Sequence, residues 1–222
     1  MKLVLATRSR HKLREIRAIL SGVPDLELLD LDQAGVPEEP AVEDRLEPYD
    51  TFEENARSKA VYFRRLTGLW SVADDSGIVV DALGGAPGVR SRRFAPVPPH
   101  TRRDEQDRAN NAHLLRLLAD VGPERRAARY VCVAALAQGE GRVEVFRGTA
   151  EGTVAEAESG AAGFGYDPLF FDAELGRTFA EIEPAEKDAR SHRGRAFRAL
   201  AEHLARRGAG AGEADRPPGG RS

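Results

Sequence analysis

Apolar and polar positions change period several times along this chain, and each change marks an element. Lys2 to Ala6 is a short apolar run of the kind a buried strand needs, and from His11 to Leu20 the residues Leu13, Ile16, Ile19 and Leu20 recur at helical spacing. The opening therefore reads as strand, polar turn, helix. Phe52 to Leu66 is a second helix, with Phe52, Ala56, Ala60 and Phe63 on one side and Thr51 beside Glu54 as a capping box. Trp70 to Ala73 is extended. An acidic turn is expected at Asp74 to Gly77, followed by a strand over Ile78 to Leu83 that ends in the Gly84, Gly85, Pro87, Gly88 cluster. Thr101 to Ala119 is a third helix with Leu114, Leu115 and Leu118 as its stripe. Ala128 to Ala137 and Arg142 to Thr149 read as strands joined through Gly139, Glu140 and Gly141, a hairpin signal, and a last helix covers Asp188 to Arg206. Strands alternate with helices early and pair as neighbours later, which predicts an α/β fold on a mixed sheet with flanking helices.

Length and composition narrow the picture. At 222 residues one large domain is expected, spanning 1–207. Residues 208–222 hold no apolar side chain larger than alanine or proline, so burial cannot offset the entropy of ordering them, and that tail is expected to be disordered. Net charge is −3 with both signs interspersed, which leaves no global field for a nucleic-acid backbone. The lone cysteine, Cys132, lies in an apolar run and reads as a buried structural thiol in a reducing compartment. No apolar stretch approaches the roughly 20 residues of a membrane span, and no signal peptide precedes the first strand. These features read as a soluble, cytoplasmic protein without nucleic-acid or membrane partners.

Charge carries a sharper clue. Four lysines, Lys2, Lys12, Lys59 and Lys187, stand against twenty-nine arginines. Where arginine serves most positive positions, a retained lysine suggests a need for a compact ammonium, as phosphate sites have. Codon bias with chance survivors is the plain alternative, and the neighbouring residues decide.

Thr7, Arg8, Ser9, Arg10, His11 and Lys12 fall between the first strand and first helix, where free backbone N–H groups and the helix dipole favour an anion. An ordinary N-cap by Thr7 or Ser9 accounts for the same residues, and the glycines of a Walker loop are missing. Asp74, Asp75, Ser76 and Gly77 bring two carboxylates to the edge of a sheet, where α/β proteins collect ligands. Adjacent strand residues point to opposite faces, so the two aspartates cannot serve one metal alike. Magnesium needs one or two carboxylates plus water and phosphate oxygens, and Glu47, with Glu43 behind it, is the favoured partner. An Asx-type turn is the alternative. The loop Ala162 to Pro168, containing Phe164, Gly165, Tyr166 and Asp167, suits stacking of a planar ring such as a purine, or simply completes the core. Lys187, Ser191, His192 and Arg193 follow at short range, with lysine suited to phosphate and histidine and arginine to oxygens of a base, while a histidine at a helix start is often only a cap.

At these residues the chain resembles the Ham1-type family of inosine/xanthosine triphosphate pyrophosphatases. Five ordered blocks carry the resemblance: Ala6 to Lys12; Thr51 to Ala56 with Lys59; Ala73 to Gly77 with Val80 to Leu83; Gly163 to Phe170; and Glu186-Lys187 with Ser191 to Gly194. It implies an elongated two-lobed α/β fold around a mixed sheet, a homodimer, a magnesium cofactor, and hydrolysis of ITP, dITP or XTP to monophosphate and pyrophosphate. By position it implies that Thr7 to Lys12 bind phosphate, and that Asp75 is metal ligand and general base. Ser76, Phe164 to Asp167, Lys187, His192 and Arg193 would then complete the nucleotide site. Departures from the usual pattern fall at Ser9, Tyr49, Arg92 and Pro96. Two competing functions are a pyrophosphatase of similar fold acting on pyrimidine or modified nucleotides, and a non-catalytic nucleotide sensor.

Overall fold

The computed structural model describes residues 1–139 and 141–214. Strand β1 (Lys2–Leu5) is buried along Leu3, Val4 and Leu5 and leads into helix α1 (Arg10–Leu20). Ser9 caps α1, accepting from the Lys12 backbone N–H at 3.4 Å. A short strand β2 (Glu27–Leu29) and one helical turn, α2 (Pro40–Glu43), lead to α3 (Phe52–Thr67). Thr51 caps α3 by accepting from Glu54 N at 3.2 Å, while its hydroxyl donates to the Glu54 carboxylate, so Glu54 meets the cap through its side chain. Then come β3 (Trp70–Val80), α4 (Arg103–Leu117), β4 (Ala127–Gly139), β5 (Arg142–Val154), β6 (Phe170–Asp172) and β7 (Arg177–Thr178). Two helices close the described chain, α5 (Pro184–Arg190) and α6 (His192–Ala214).

The seven strands form one mixed sheet in the order β2-β1-β3-β4-β5-β6-β7. β1 lies parallel to β2 and β3, and every later pairing is antiparallel. The α/β reading and the β4–β5 hairpin are thus borne out. One core packs α1 and α6 on a face of the sheet around Leu3, Leu5, Val72, Cys132 and Phe197. A second packs α3 on the other face around Val4, Ala60, Phe63 and Val133. A third gathers Ile78, Leu114, Tyr130, Phe170 and Phe179 at the far end of the long strands. Cys132 is buried as expected. No described helix is long and apolar enough to cross a membrane.

Three expectations need correction: the turn at Asp74 to Gly77, the strand reaching Leu83, and the single final helix. Asp74 to Gly77 is no turn: β3 runs unbroken from Trp70 to Val80, with Asp74 opposite Ala134 and Asp75 opposite Val133. Pairing along β4 outweighs the turn preference of the Asp-Asp-Ser-Gly sequence. The strand also stops at Val80, where Asp81–Leu83 make a 3-10 turn. The final helix is two, because Ser191 takes extended backbone between α5 and α6 and its hydroxyl accepts from Gly194 N at 3.0 Å. α6 runs to Ala214, past the expected end at Arg206, and residues 215–222 of the tail expected to be disordered lie outside the described residues.

Candidate active site

The topology leaves one strand edge bare. β1 ends at Leu5, paired with Val72, while β3 continues to Val80. Further along, Ser91 Oγ accepts from Ile78 N at 2.9 Å, and Gly77 lets that segment close in, since a Cβ there would lie 2.4 Å from Gly88 O. Between these points a cleft of about 540 Å³ opens against β3. Its walls include Thr7 to Lys12, Asp75, Ser76, Phe164 to Asp167, Lys187, His192, Arg193 and Glu47. The residues proposed from the sequence for phosphate, metal and base therefore line one cleft, from Thr7 to Arg193, whereas Asp74 and Ser191 lie behind its wall.

Alternation along β3 separates the two aspartates. Asp74 faces α1 and α6, where it meets Lys12 Nζ at 3.0 Å and Arg193 Nη2 at 3.3 Å. Burial opposes its ionisation, but Lys12, Arg193 and Lys59 prevail and hold the carboxyl far below its ordinary value. Asp75 faces α3, where its Oδ2 accepts from Asn55 Nδ2 at 3.0 Å and its Oδ1 from Ser76 N at 2.9 Å. Both donors are neutral. Burial, helped by the charge of Glu47, raises the Asp75 carboxyl above its ordinary value against Lys59 and Lys12. Glu47 is itself bonded by Lys59, which also donates to the Asp74 carbonyl. Burial opposes ionisation of Glu47, and Lys59 overcomes it. Glu43 is engaged elsewhere, accepting from Arg8 Nη2 at 3.0 Å.

At the other end of the cleft the cations are already committed. Arg193, 2% exposed, donates to Glu15 Oε2 at 2.6 Å and to Ser76 Oγ at 2.9 Å. Lys187 lies between Glu15 at 3.1 Å and Asp167 at 2.6 Å. Asp167 also accepts from Phe164 N at 2.8 Å and Tyr130 OH at 3.3 Å, so Lys187 braces the aromatic loop. Tyr166 is buried, donating to Ser91 O at 2.9 Å. His192 stacks on Tyr130 with 4.5 Å between centroids and 7° between planes. Burial, joined by Arg193 and Lys187, lowers its pKa well below the usual value, so it is neutral. Among the described residues, His192 Nδ1 and Arg193 Nε are buried without a hydrogen-bond partner.

Sequence reasoning missed Glu15, and gave Asn55 and Lys59 no role in this arrangement although both lie in a resemblance block and Lys59 is one of the four lysines. Glu15 carried a signal: it follows Lys12 by three positions and adjoins the apolar Ile16, which places a carboxylate beside the buried stripe of α1. Asn55 gave none beyond its place in the Thr51 to Ala56 block, one turn before Lys59 on α3.

Fold and cleft define a class: an α/β protein whose ligand groove opens at the carboxyl end of a parallel strand and is lined by lysine, arginine and carboxylate. The chain belongs to the Ham1 family, whose profile matches residues 3–203. It is 47% identical over 203 residues to the dITP/XTP pyrophosphatase of Geobacter sulfurreducens, covering 91% of this chain and 96% of that one. Identity to the dITP/XTP pyrophosphatase of Symbiobacterium thermophilum is 48% over 203 residues, covering 91% and 94%. The solved HAM1 protein of Coxiella burnetii superposes with a TM-score of 0.80 at 34% identity, covering 93% and 99%.

Proposed function

We propose that this chain hydrolyses noncanonical purine nucleoside triphosphates, ITP, dITP and XTP, to the monophosphate and pyrophosphate. One observation carries the reading. A single cleft joins a polyanion end, with the α1 N-terminus and Lys12 near Asp75 and Glu47, to an aromatic end at Phe164, His192 and Arg193. The activity for which the relatives are named, dITP/XTP pyrophosphatase, fits that pairing. As the family resemblance implies, the protein would work as a homodimer with magnesium, and its composition suits the cytoplasm.

The residues present fit that ion. Asp75 has only neutral hydrogen-bond donors and shares its surroundings with a second carboxylate, Glu47, so the pair carries charge that a dication would neutralise. Among the described residues no three His, Cys, Asp or Glu side chains converge as a cage, and magnesium needs only one or two carboxylates when substrate phosphates supply the rest. Asp75 and Glu47 would hold it: Glu47, now paired with Lys59, is the carboxylate whose charge acts on Asp75, whereas Glu43 is turned to Arg8. Bound there, magnesium supplies charge neutralisation on the triphosphate and favours deprotonation of water.

The chain's own residues do the remainder. Asp75 orients a water and takes its proton as the oxygen attacks the α-phosphorus; the bond to the β-phosphate oxygen breaks and pyrophosphate leaves. Lys12, its side chain 19% exposed, and the first-turn N–H groups of Arg10 and His11 would meet the developing phosphate charge. At the base, His192 and Arg193 offer N–H donors suited to the oxygen at purine position six, which adenosine replaces with a donor. One such mispairing is worth about 1–3 kcal/mol, roughly 10- to 100-fold, so strong selection needs several contacts together.

Incubation with dITP and magnesium is expected to give dIMP and pyrophosphate in equal amounts, and a chelator to stop both. Orthophosphate as the product, or turnover indifferent to chelator, would count against this assignment.

A further inference from the structure

His11 belongs to the segment that sequence reasoning gave wholly to phosphate, yet its ring is elsewhere. The imidazole stacks on Phe164 across the cleft, with 5.0 Å between centroids and 22° between planes. Phe164 itself is backed by Lys187 Nζ at 4.9 Å and Arg193 Cζ at 5.7 Å from its centroid. The loop that bears it is pinned on two sides. Phe164 N donates to Asp167 Oδ2 at 2.8 Å, and Gly165 N donates to Asp107 Oδ2 at 3.2 Å, tying the loop to α4. Asp107 is in turn paired with Arg103 at 3.1 Å. His11 is exposed, on the first turn of α1. One slab of this pair is thus fixed and the other is at the surface.

We infer that His11 is the second wall of the base slot, and that a purine enters between His11 and Phe164. The inference rests on the functional reading above. Two aromatic contacts at about 3.5 Å each need rings about 7 Å apart, so the pair must part by roughly 2 Å from its present spacing. The exposed His11 is the ring that yields, because Asp107 and Asp167 hold the Phe164 side. The His11–Phe164 stack covers the apolar ring that the base would cover. Stacking accepts any π-face, so His11 adds affinity for every base, and selection among bases stays with the edges.

The test separates base from phosphate by binding, independent of turnover. Dissociation constants for dITP and for inorganic tripolyphosphate are measured by calorimetry in chelator with wild type, His11→Ala and His11→Phe. Loss of one stacking wall is expected to weaken dITP roughly tenfold, to leave tripolyphosphate within about twofold, and to be restored by phenylalanine. Equal weakening of both ligands in His11→Ala, no recovery in His11→Phe, or a wild type that binds dITP no better than tripolyphosphate would each overturn it. If the wild type binds dITP as expected but releases no pyrophosphate with magnesium, the functional reading fails while the slot stands.

Discussion

Asp74 and Asp75 are neighbours on one strand with identical side chains, and the two faces of β3 give them opposite chemistry. On the α1/α6 face, Asp74 is locked into a buried lattice with Lys12, Arg193 and, through Arg193, Glu15 and Lys187. On the α3 face, Asp75 has Asn55 and a backbone N–H for company and Glu47 for a charged neighbour. Burial acts against both carboxylates, and only Asp74 has enough positive charge to overcome it. A carboxylate whose Oδ2 meets two cations holds structure, even with its Oδ1 buried and unpartnered. One left under-compensated is free to take a proton or a cation.

Exchanging either aspartate for asparagine should expose the difference. Asp75→Asn is expected to lower pyrophosphate release about 10³-fold, within the range for loss of a general base. A carboxyl whose folded pKa is raised is a burden once ionised. That cost is absent below the unfolded value and grows as pH rises through the folded one. Asp75→Asn should therefore melt no lower than wild type at pH 7, and an early-melting variant that keeps its turnover would erase the contrast. Asp74→Asn should do the reverse, costing about 3–5 kcal/mol of stability by stranding buried cations, a fall of on the order of 10 °C in melting temperature. Because the Asp74 pKa is depressed, its contribution is complete above the unfolded value of about 3.9 and fades as pH falls toward the folded one. The gap between wild type and Asp74→Asn should close in acid, and a gap that persists there would show that packing, not charge, sets it.

A smaller change tests whether the lattice holds α6 in place. At Gly148 on β5 an added Cβ would lie 2.1 Å from His192 O and 2.6 Å from Ala196 N, backbone atoms that cannot swing aside. Gly148→Ala is expected to cost about 1–3 kcal/mol and to weaken nucleotide binding by displacing His192 and Arg193; unchanged melting and binding would mean that α6 is not so tightly seated. The least effect is expected from ending the chain after Gly208, since the proposed catalytic domain spans 1–207: turnover should stay within about twofold, roughly the 0.4 kcal/mol that separates rates at that level.

The strands and helices that carry the cleft were legible because their apolar periods are clean: β1, α1, α3 and the β4–β5 hairpin all stand where the pattern puts them. The Asp74 to Gly77 stretch was misread as a turn because its composition is that of a turn and its pairing with β4, some sixty positions downstream, leaves no local trace. The opposite orientation of the two aspartates followed from strand alternation alone. Charge pairing was the least legible layer. Lys187 looked like a free phosphate-binding ammonium, whereas it is closed between Glu15 and Asp167, partners 172 and 20 positions away. Long-range ion pairs are set by tertiary packing, and single positions in a sequence do not announce them.

The most direct measurement is pyrophosphate release with magnesium from ITP, dITP, XTP, ATP, GTP and dTTP, side by side, for wild type and Asp75→Asn. The expected result is preference for ITP, dITP and XTP by about 100-fold or more over ATP, as several edge contacts acting together would give, with that turnover lost in Asp75→Asn. A preference for dTTP, or wild-type turnover surviving in Asp75→Asn, would contradict the account.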